Sequence, residues 1–89
     1  MNKLPIGTDA RLRFVKESRL TVDLGISSHT HSPIMYEKVF HQGEEVEGQV
    51  LADNGNSVDV LVAGFDLIPV YQGQRAVLRQ VSYDCFEIA

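Results

Sequence analysis

Residues 46–62 decide the fold that this sequence predicts, and they read VEGQVLADNGNSVDVLV. Apolar and polar residues alternate on both sides of a turn signal at residues 53–57. An alternation with a period of two predicts strands that bury one face. The stretch therefore predicts a β-hairpin over residues 45–63. The inward-facing residues of this hairpin are Val46, Val50, Val58, Val60 and Val62.

The turn of this hairpin contains Asn54-Gly55, a pair typical of a two-residue loop. A loop of that kind would pair Val50 with Asp59 and mix apolar and polar side chains on both faces. Residues that oppose each other in an antiparallel pair face the same way. The alternation therefore favours a three-residue loop in which Asn56 adopts the left-handed conformation and closes a bulge.

A second alternating pattern, near the N-terminus, predicts another hairpin over residues 10–26. Leu12 and Phe14 lie on one side of its first strand, and Val22 and Leu24 lie on one side of its second strand. The apolar sets meet when Phe14 lies opposite Val22 and Leu12 lies opposite Leu24.

Residues 33–42 are compatible with two structures. Ser32 before them and Gly43 after them are typical of a short helix, but the segment is also β-branched and aromatic enough for a strand. In the helical alternative the buried stripe consists of Met35, Tyr36, Val39 and Phe40. Elsewhere we expect a lead-in at residues 1–8, a loop at 27–33, and C-terminal strands at 67–71, 75–81 and 82–88.

About six short antiparallel strands in 89 residues predict a mainly β single domain, because two cores do not fit in this length. We expect a small barrel or a two-layer sandwich, since an open sheet leaves its edges exposed. Gly48 fits a bend at a corner of such a barrel. The sequence contains neither an apolar run of membrane length nor an export signal, so we expect a cytoplasmic protein in which Cys85 is a buried, unreactive thiol.

Charge is unevenly distributed along the chain. Residues 1–19 carry five basic and two acidic residues, whereas residues 44–66 carry six acidic residues and no basic one. In one interpretation the basic segment faces the acidic segment, within the chain or across a dimer. In the alternative it binds nucleic-acid phosphates, although a net charge of −4 argues against this. The nucleic-acid candidates are the cations Arg11, Arg13, Lys16 and Arg19, with Tyr71 or Tyr83 stacking on a base.

Two leucines point away from the predicted core. If the valines of residues 46–62 face inward, Leu51 and Leu61 face outward and lie diagonally adjacent on one face. Residues 33–42 or the C-terminal strands could cover them within the chain. A two-fold contact with a second copy is the simplest intermolecular solution for so small a domain.

Motifs that carry catalytic or metal chemistry are scarce. His29 and His31 would project to the same side of an extended chain and, with His41 as a third ligand, could hold a divalent metal. Their spacing matches no zinc signature, and the same histidines fit a solvated polar loop. We find no nucleophile elbow and no phosphate-binding loop, so we expect neither enzymatic activity nor a cofactor.

These patterns together predict a non-enzymatic small β-barrel, a binding or adaptor module that acts through protein–protein contacts. We expect it to form a homodimer through Leu51 and Leu61. One alternative is a nucleic-acid-binding small barrel, OB-like or SH3-like, that uses the basic N-terminal hairpin. The other is a small-ligand or metal-binding domain around His29 and His31.

Overall fold

A computed structural model describes residues 4–26, 30–63 and 75–89, and in these ranges seven antiparallel strands form one sheet without any helix. Across the sheet the strands follow the order β3-β2-β6-β5-β4-β1-β7. The described ranges contain no helix with the length and apolarity that crossing a membrane demands. The strands are β1 (Asp9–Phe14), β2 (Ser18–Ile26), β3 (Pro33–Phe40), β4 (Glu45–Asp53), β5 (Ser57–Ala63), β6 (Arg75–Ser82) and β7 (Phe86–Ile88).

The hydrophobic core lies on the inner face of this sheet, where alternate residues of the strands meet. The prediction that the five valines of residues 46–62 face inward is confirmed, since each is at most 5% exposed. Cys85 is also buried, as expected. Among the described residues the buried apolar set is Leu12, Phe14, Leu20, Val22, Phe40, Val46, Val50, Val58, Val60, Val62, Ala76, Leu78, Val81, Cys85 and Phe86.

The sheet curls around this core. Phe14 of β1 stacks on Phe40 of β3 with ring centroids 4.5 Å apart, although four other strands separate β1 from β3 in the sheet order. Gly48 allows β4 and β5 to approach closely, because a Cβ there would lie 2.5 Å from the backbone oxygen of Leu61. The sheet is not closed, so the predicted barrel is not confirmed, and the strands form one sheet where a sandwich needs two.

β4 and β5 form the hairpin predicted over residues 45–63, but the turn differs from the prediction. The Asn54 N–H donates to the Ser57 carbonyl at 2.9 Å, which leaves Gly55 and Asn56 as a two-residue loop. Gly55 has a φ of 92°, a backbone conformation that favours glycine at the first position of a type II′ turn. The three-residue loop closed by Asn56 was therefore wrong.

A bulge within β4 restores the register that the valines need. Val50 lies opposite Val60, but Ala52 lies opposite Asp59, so Leu51 is an extra residue on its strand. The alternation of side chains required one shift of register between the turn and the core. It could not show whether the shift occurs in the loop or inside the strand.

The predicted N-terminal hairpin was wrong, because β1 and β2 are not paired. β1 lies between β4 and β7, and β2 lies between β3 and β6. Leu12 lies opposite Val46 instead of Leu24, and Phe14 is not opposite Val22. Alternation decides which face of a strand is buried, but any antiparallel strand with the same alternation is an acceptable partner.

The helical alternative for residues 33–42 was also wrong, since Pro33–Phe40 is the strand β3. Pairing with β2 along this segment outweighs the helix signals at its two ends, which agrees with its β-branched and aromatic content. Met35 and Tyr36, which a helix would bury, are exposed. The strands predicted at 75–81 and 82–88 correspond to β6 and β7, whereas residues 67–71 lie outside the described residues.

Candidate functional site

Two arginines of β1 belong to a row of ion pairs on the outer face of the sheet. Arg11 lies opposite Glu47, and its Nη2 donates to Glu47 Oε1 at 2.6 Å. Arg13 donates to Glu45 and to Glu87, at 3.2 Å in both cases. Hydrogen bonds to these carboxylates, with their negative charge, raise the pKa of both arginines. These five residues form the charged ladder.

The charged ladder pairs the basic N-terminal segment with acidic residues of the same chain. Arg11 and Arg13 pair with acidic residues within the chain, so a phosphate would bind them in competition with these carboxylates. Arg19 lies 3.7 Å from Glu37, and Lys16 is exposed in the connection between β1 and β2. The four cations predicted for nucleic acid are therefore not a free basic stripe.

The aromatic partners predicted for a stacked base receive no support from the geometry. Tyr83 is half-buried, its ring is tilted against Phe86 with centroids 5.7 Å apart, and its hydroxyl accepts a 3.5 Å hydrogen bond from the Leu4 N–H. A ring held in this way has no open face for stacking on the Phe86 side. Tyr71 lies outside the described residues.

The structure separates the predicted metal ligands. His31 and His41 stand at opposite ends of β3, and ten residues of extended chain place them about 30 Å apart, too far to share one ion. His41 Nδ1 instead lies 3.3 Å from Glu17, and the His41 N–H donates to Glu44. His29 lies outside the described residues, and within those residues no three His, Cys, Asp or Glu side chains are placed to hold a metal.

The two leucines proposed as a dimer contact are only partly accessible. Leu51, the extra residue of the β4 bulge, is 39% exposed, and Leu61 is half-buried between Gln49 and Val77 on the neighbouring strands. The bulge removes the regular alternation on which their diagonal placement depended. Their role as a dimer contact stays a prediction.

Three consecutive residues of β3 also expose apolar side chains. Ile34 is 37% exposed, Met35 is 54% exposed and Tyr36 is 47% exposed. Among the described strands the one hydrogen-bonding neighbour of β3 is β2, so β3 is an edge strand. Half of its backbone N–H and C=O groups face away from β2. These three residues form the open edge.

Sequence reasoning missed the open edge because Met35 and Tyr36 fit the buried stripe of a helix. In a strand, successive side chains point to opposite faces. Three successive apolar residues therefore cannot all face one core, and this was the signal available in the sequence. The position of β3 at the end of the described sheet depends on the pairing of distant strands.

A buried carboxylate joins β5 to its neighbours in the middle of the sheet. Asp59 accepts hydrogen bonds from the Gln80 N–H at 2.9 Å, from the Asn54 side chain at 3.0 Å and from Arg79 at 3.2 Å. Arg79 also binds Asp23 of β2 at 2.8 Å, and this hydrogen bond lowers the pKa of Asp23 below its ordinary value. These five residues form the carboxylate node.

The carboxylate node is a structural feature. Gln80 has a φ of 54°, and with Arg79 it forms a bulge in β6 opposite Asp59. The carboxylate holds the strained Gln80 N–H in place. Each buried side-chain nitrogen and oxygen of the described residues has a hydrogen-bond partner, and those of the node are included.

A shallow groove of about 360 Å³ lies beside the charged ladder. Its ladder residues already pair with one another, Glu44 accepts the His41 N–H, and Lys38 lies 5.4 Å from the centroid of the Phe40 ring. The groove therefore offers a small ligand few uncommitted groups. Its lining consists of Arg11, Lys38, Phe40, Glu44, Glu45, Val46 and Glu47.

Comparison of the chain with protein-family models, with curated proteins and with solved structures finds no match.

Proposed function

We propose that this chain is a non-enzymatic binding module that acts through protein–protein contacts at the open edge. The observation that carries the proposal is the combination of an edge strand with three exposed apolar residues, Ile34, Met35 and Tyr36. Another extended polypeptide can satisfy the outward backbone groups of such a strand by adding itself to the sheet.

Main-chain and side-chain contacts have different roles in this kind of binding. Each new backbone hydrogen bond contributes about 0.5–1.5 kcal/mol, nearly independently of the partner's sequence. Selectivity comes from the side chains, which alternate between the two faces. Ile34 and Tyr36 share one face with the core residue Val22, while Met35 lies on the outer face with Asp23.

The other two functions receive less support from the same structure. A nucleic acid would compete with the carboxylates of the charged ladder, and a metal could not bind both His31 and His41. The absence of catalytic activity is part of the proposal.

Affinity capture from cell extract tests the proposal. Each captured protein is purified, and its binding to the chain is then measured directly. We expect a polypeptide that binds the wild type, is lost with Tyr36→Lys and is retained by the control Leu51→Lys. Hydrogen–deuterium exchange should show protection of the β3 amides in the reconstituted complex. A partner that protects another surface and leaves the β3 amides exchanging freely would contradict the proposal.

A further inference from the structure

We infer that the strand completing the open edge is β3 of a second copy of this chain, paired antiparallel with Met35 on the two-fold axis. The inference rests on the proposed function and deepens it by naming the partner. It concerns a surface different from Leu51 and Leu61.

A two-fold contact requires a surface that is complementary to itself. With Met35 opposite the partner's Met35, Ile34 lies opposite the partner's Tyr36, and Tyr36 lies opposite the partner's Ile34. Pairs of an aromatic and a β-branched residue are favourable across neighbouring strands. This register brings all three exposed apolar residues of each copy into the contact, one pair on the outer face and two on the inner face.

The charges of β3 favour the same register over its neighbours. In the Met35-centred pairing, Glu37 lies opposite the partner's Pro33, and Lys38 lies opposite the partner's Ser32. An axis at Tyr36 would keep only the pair of the two Tyr36 side chains, and it would place Glu37 opposite the partner's Met35 and Lys38 opposite the partner's Ile34. An axis at Glu37 would place two like charges directly opposite each other, which is destabilising.

The electrostatics of the whole chain also direct self-association to β3. Two copies, each with a net charge of −4, repel each other, so their contact should avoid acidic surface. On β3, Glu37 is balanced by Arg19 at 3.7 Å, and Lys38 adds a positive charge. Arg13 balances Glu87 in the same way on β7, the other edge of the described sheet, but β7 is only three residues long and offers fewer backbone groups to a second strand.

The backbone of β3 is regular enough to accept a strand. The irregularity in the β2–β3 ladder lies on β2, where two residues, Leu24 and Gly25, oppose Ile34 alone. Edge strands are commonly protected by bulges, prolines or lysines. In β3 the proline and the lysine, Pro33 and Lys38, flank the apolar residues and leave the centre of the strand unprotected.

Sedimentation velocity with two charge variants tests the inference. We expect the wild type to form a dimer whose fraction rises with concentration, and we expect Met35→Lys and Met35→Glu each to raise the dimer Kd about tenfold or more, because each variant places like charges on the axis. An equimolar mixture of the two variants should form a heterodimer, since Lys then lies opposite Glu. Because Met35 is 54% exposed, both variants should keep the β circular dichroism spectrum.

Leu51→Lys is the matched control, because Leu51 is an exposed apolar residue away from β3 and should leave the dimer unchanged. A wild type that stays monomeric at its highest soluble concentration overturns the inference. So does a mixture of charge variants that fails to associate, or a dimer abolished by Leu51→Lys and unaffected by Met35→Lys. If the wild type is monomeric and a different purified polypeptide protects the β3 amides, the inference fails while the proposed function stands.

Discussion

The charged ladder and the open edge lie toward opposite ends of one sheet and differ in where their partners come from. Arg11 and Arg13 form ion pairs with carboxylates of the same chain, so the positive charges on this outer surface are already balanced. On β3, apolar side chains and outward backbone groups have no further strand beside them in the described residues. Ion pairs thus join strands of this chain to each other at one end of the sheet, whereas the apolar edge at the other end can accept another polypeptide.

Two sets of contacts hold these regions in one fold. Phe14 and Phe40 stack across the core and join β1 to β3. The carboxylate node joins β2, β5 and β6 through Asp23, Asp59 and Arg79. Substitutions that remove these contacts, and then those of the charged ladder, measure how much each contact contributes to the stability of the fold.

The largest effect is expected for Phe40→Ala, which removes the core contact between the two regions. Phe40 is 2% exposed, and losing a buried phenylalanine costs about 3–5 kcal/mol. A domain of this size has a free energy of unfolding of about 5–13 kcal/mol, so urea denaturation should show a large drop. Phe40→Leu is the control and should lose less. A loss below about 1 kcal/mol would contradict the stacking role.

Asp59→Ala should have the next largest effect, because it leaves the Gln80 N–H and the Arg79 guanidinium without their buried acceptor. We expect a loss of about 2–3 kcal/mol in urea denaturation and faster hydrogen exchange at the Gln80 amide. The control, Asp53→Ala, removes an exposed acceptor of the Gly55 N–H and should cost less. Unchanged exchange at Gln80 would show that the β6 bulge does not need the carboxylate.

Asp23 should make stability depend on pH. The hydrogen bond from Arg79, and then that from the Gly25 N–H, hold the pKa of Asp23 below its unfolded value of about 4. A carboxylate of this kind stabilises the fold above that value and loses its contribution as the pH falls through the folded pKa. Asp23→Asn should cost about 1 kcal/mol at neutral pH and flatten the loss of stability below about pH 4. An acid unfolding curve identical to that of the wild type would contradict this role.

The smallest effect is expected in the charged ladder. Arg13→Gln should lower the melting temperature slightly in low salt, and the difference should vanish near 1 M salt, where the Debye length is about 3 Å. Tyr36→Thr on the open edge should leave the stability of the monomer unchanged under both conditions. A salt-independent loss for Arg13→Gln would show that its side chain acts through packing.

Much of the core could be predicted from local alternation. Leu12, Phe14, Val22 and the valines of residues 46–62 are buried as expected, because successive side chains of a strand point to opposite faces wherever the strand lies. The exposed residues of β3 were missed for a related reason. A segment compatible with both helix and strand takes its structure from the strand beside it, and here that strand is β2.

The candidate site was less predictable than the core. Sequence reasoning chose Leu51 and Leu61 by extending a regular alternation, and the bulge at Leu51 interrupts it. It favoured the acidic segment as the partner of Arg11 and Arg13, with nucleic acid as the alternative, and the ion pairs with Glu45 and Glu47 agree with the favoured interpretation. Their pairing with Glu45, Glu47 and Glu87 follows from β1 lying between β4 and β7, two strands that are distant in the sequence.

An antiparallel β chain with a valine-rich inner face and a hairpin at residues 45–63 could be inferred from the amino-acid sequence. This is possible because the direction of a side chain in a strand depends on its nearest neighbours in the chain. The pairing of β1 with β4, the two-residue length of the loop at Gly55 and the place of β3 as the last of the described strands depend on the tertiary structure. Backbone hydrogen bonds are nearly the same for every residue. The packing and the charges of the whole molecule therefore decide which strands pair.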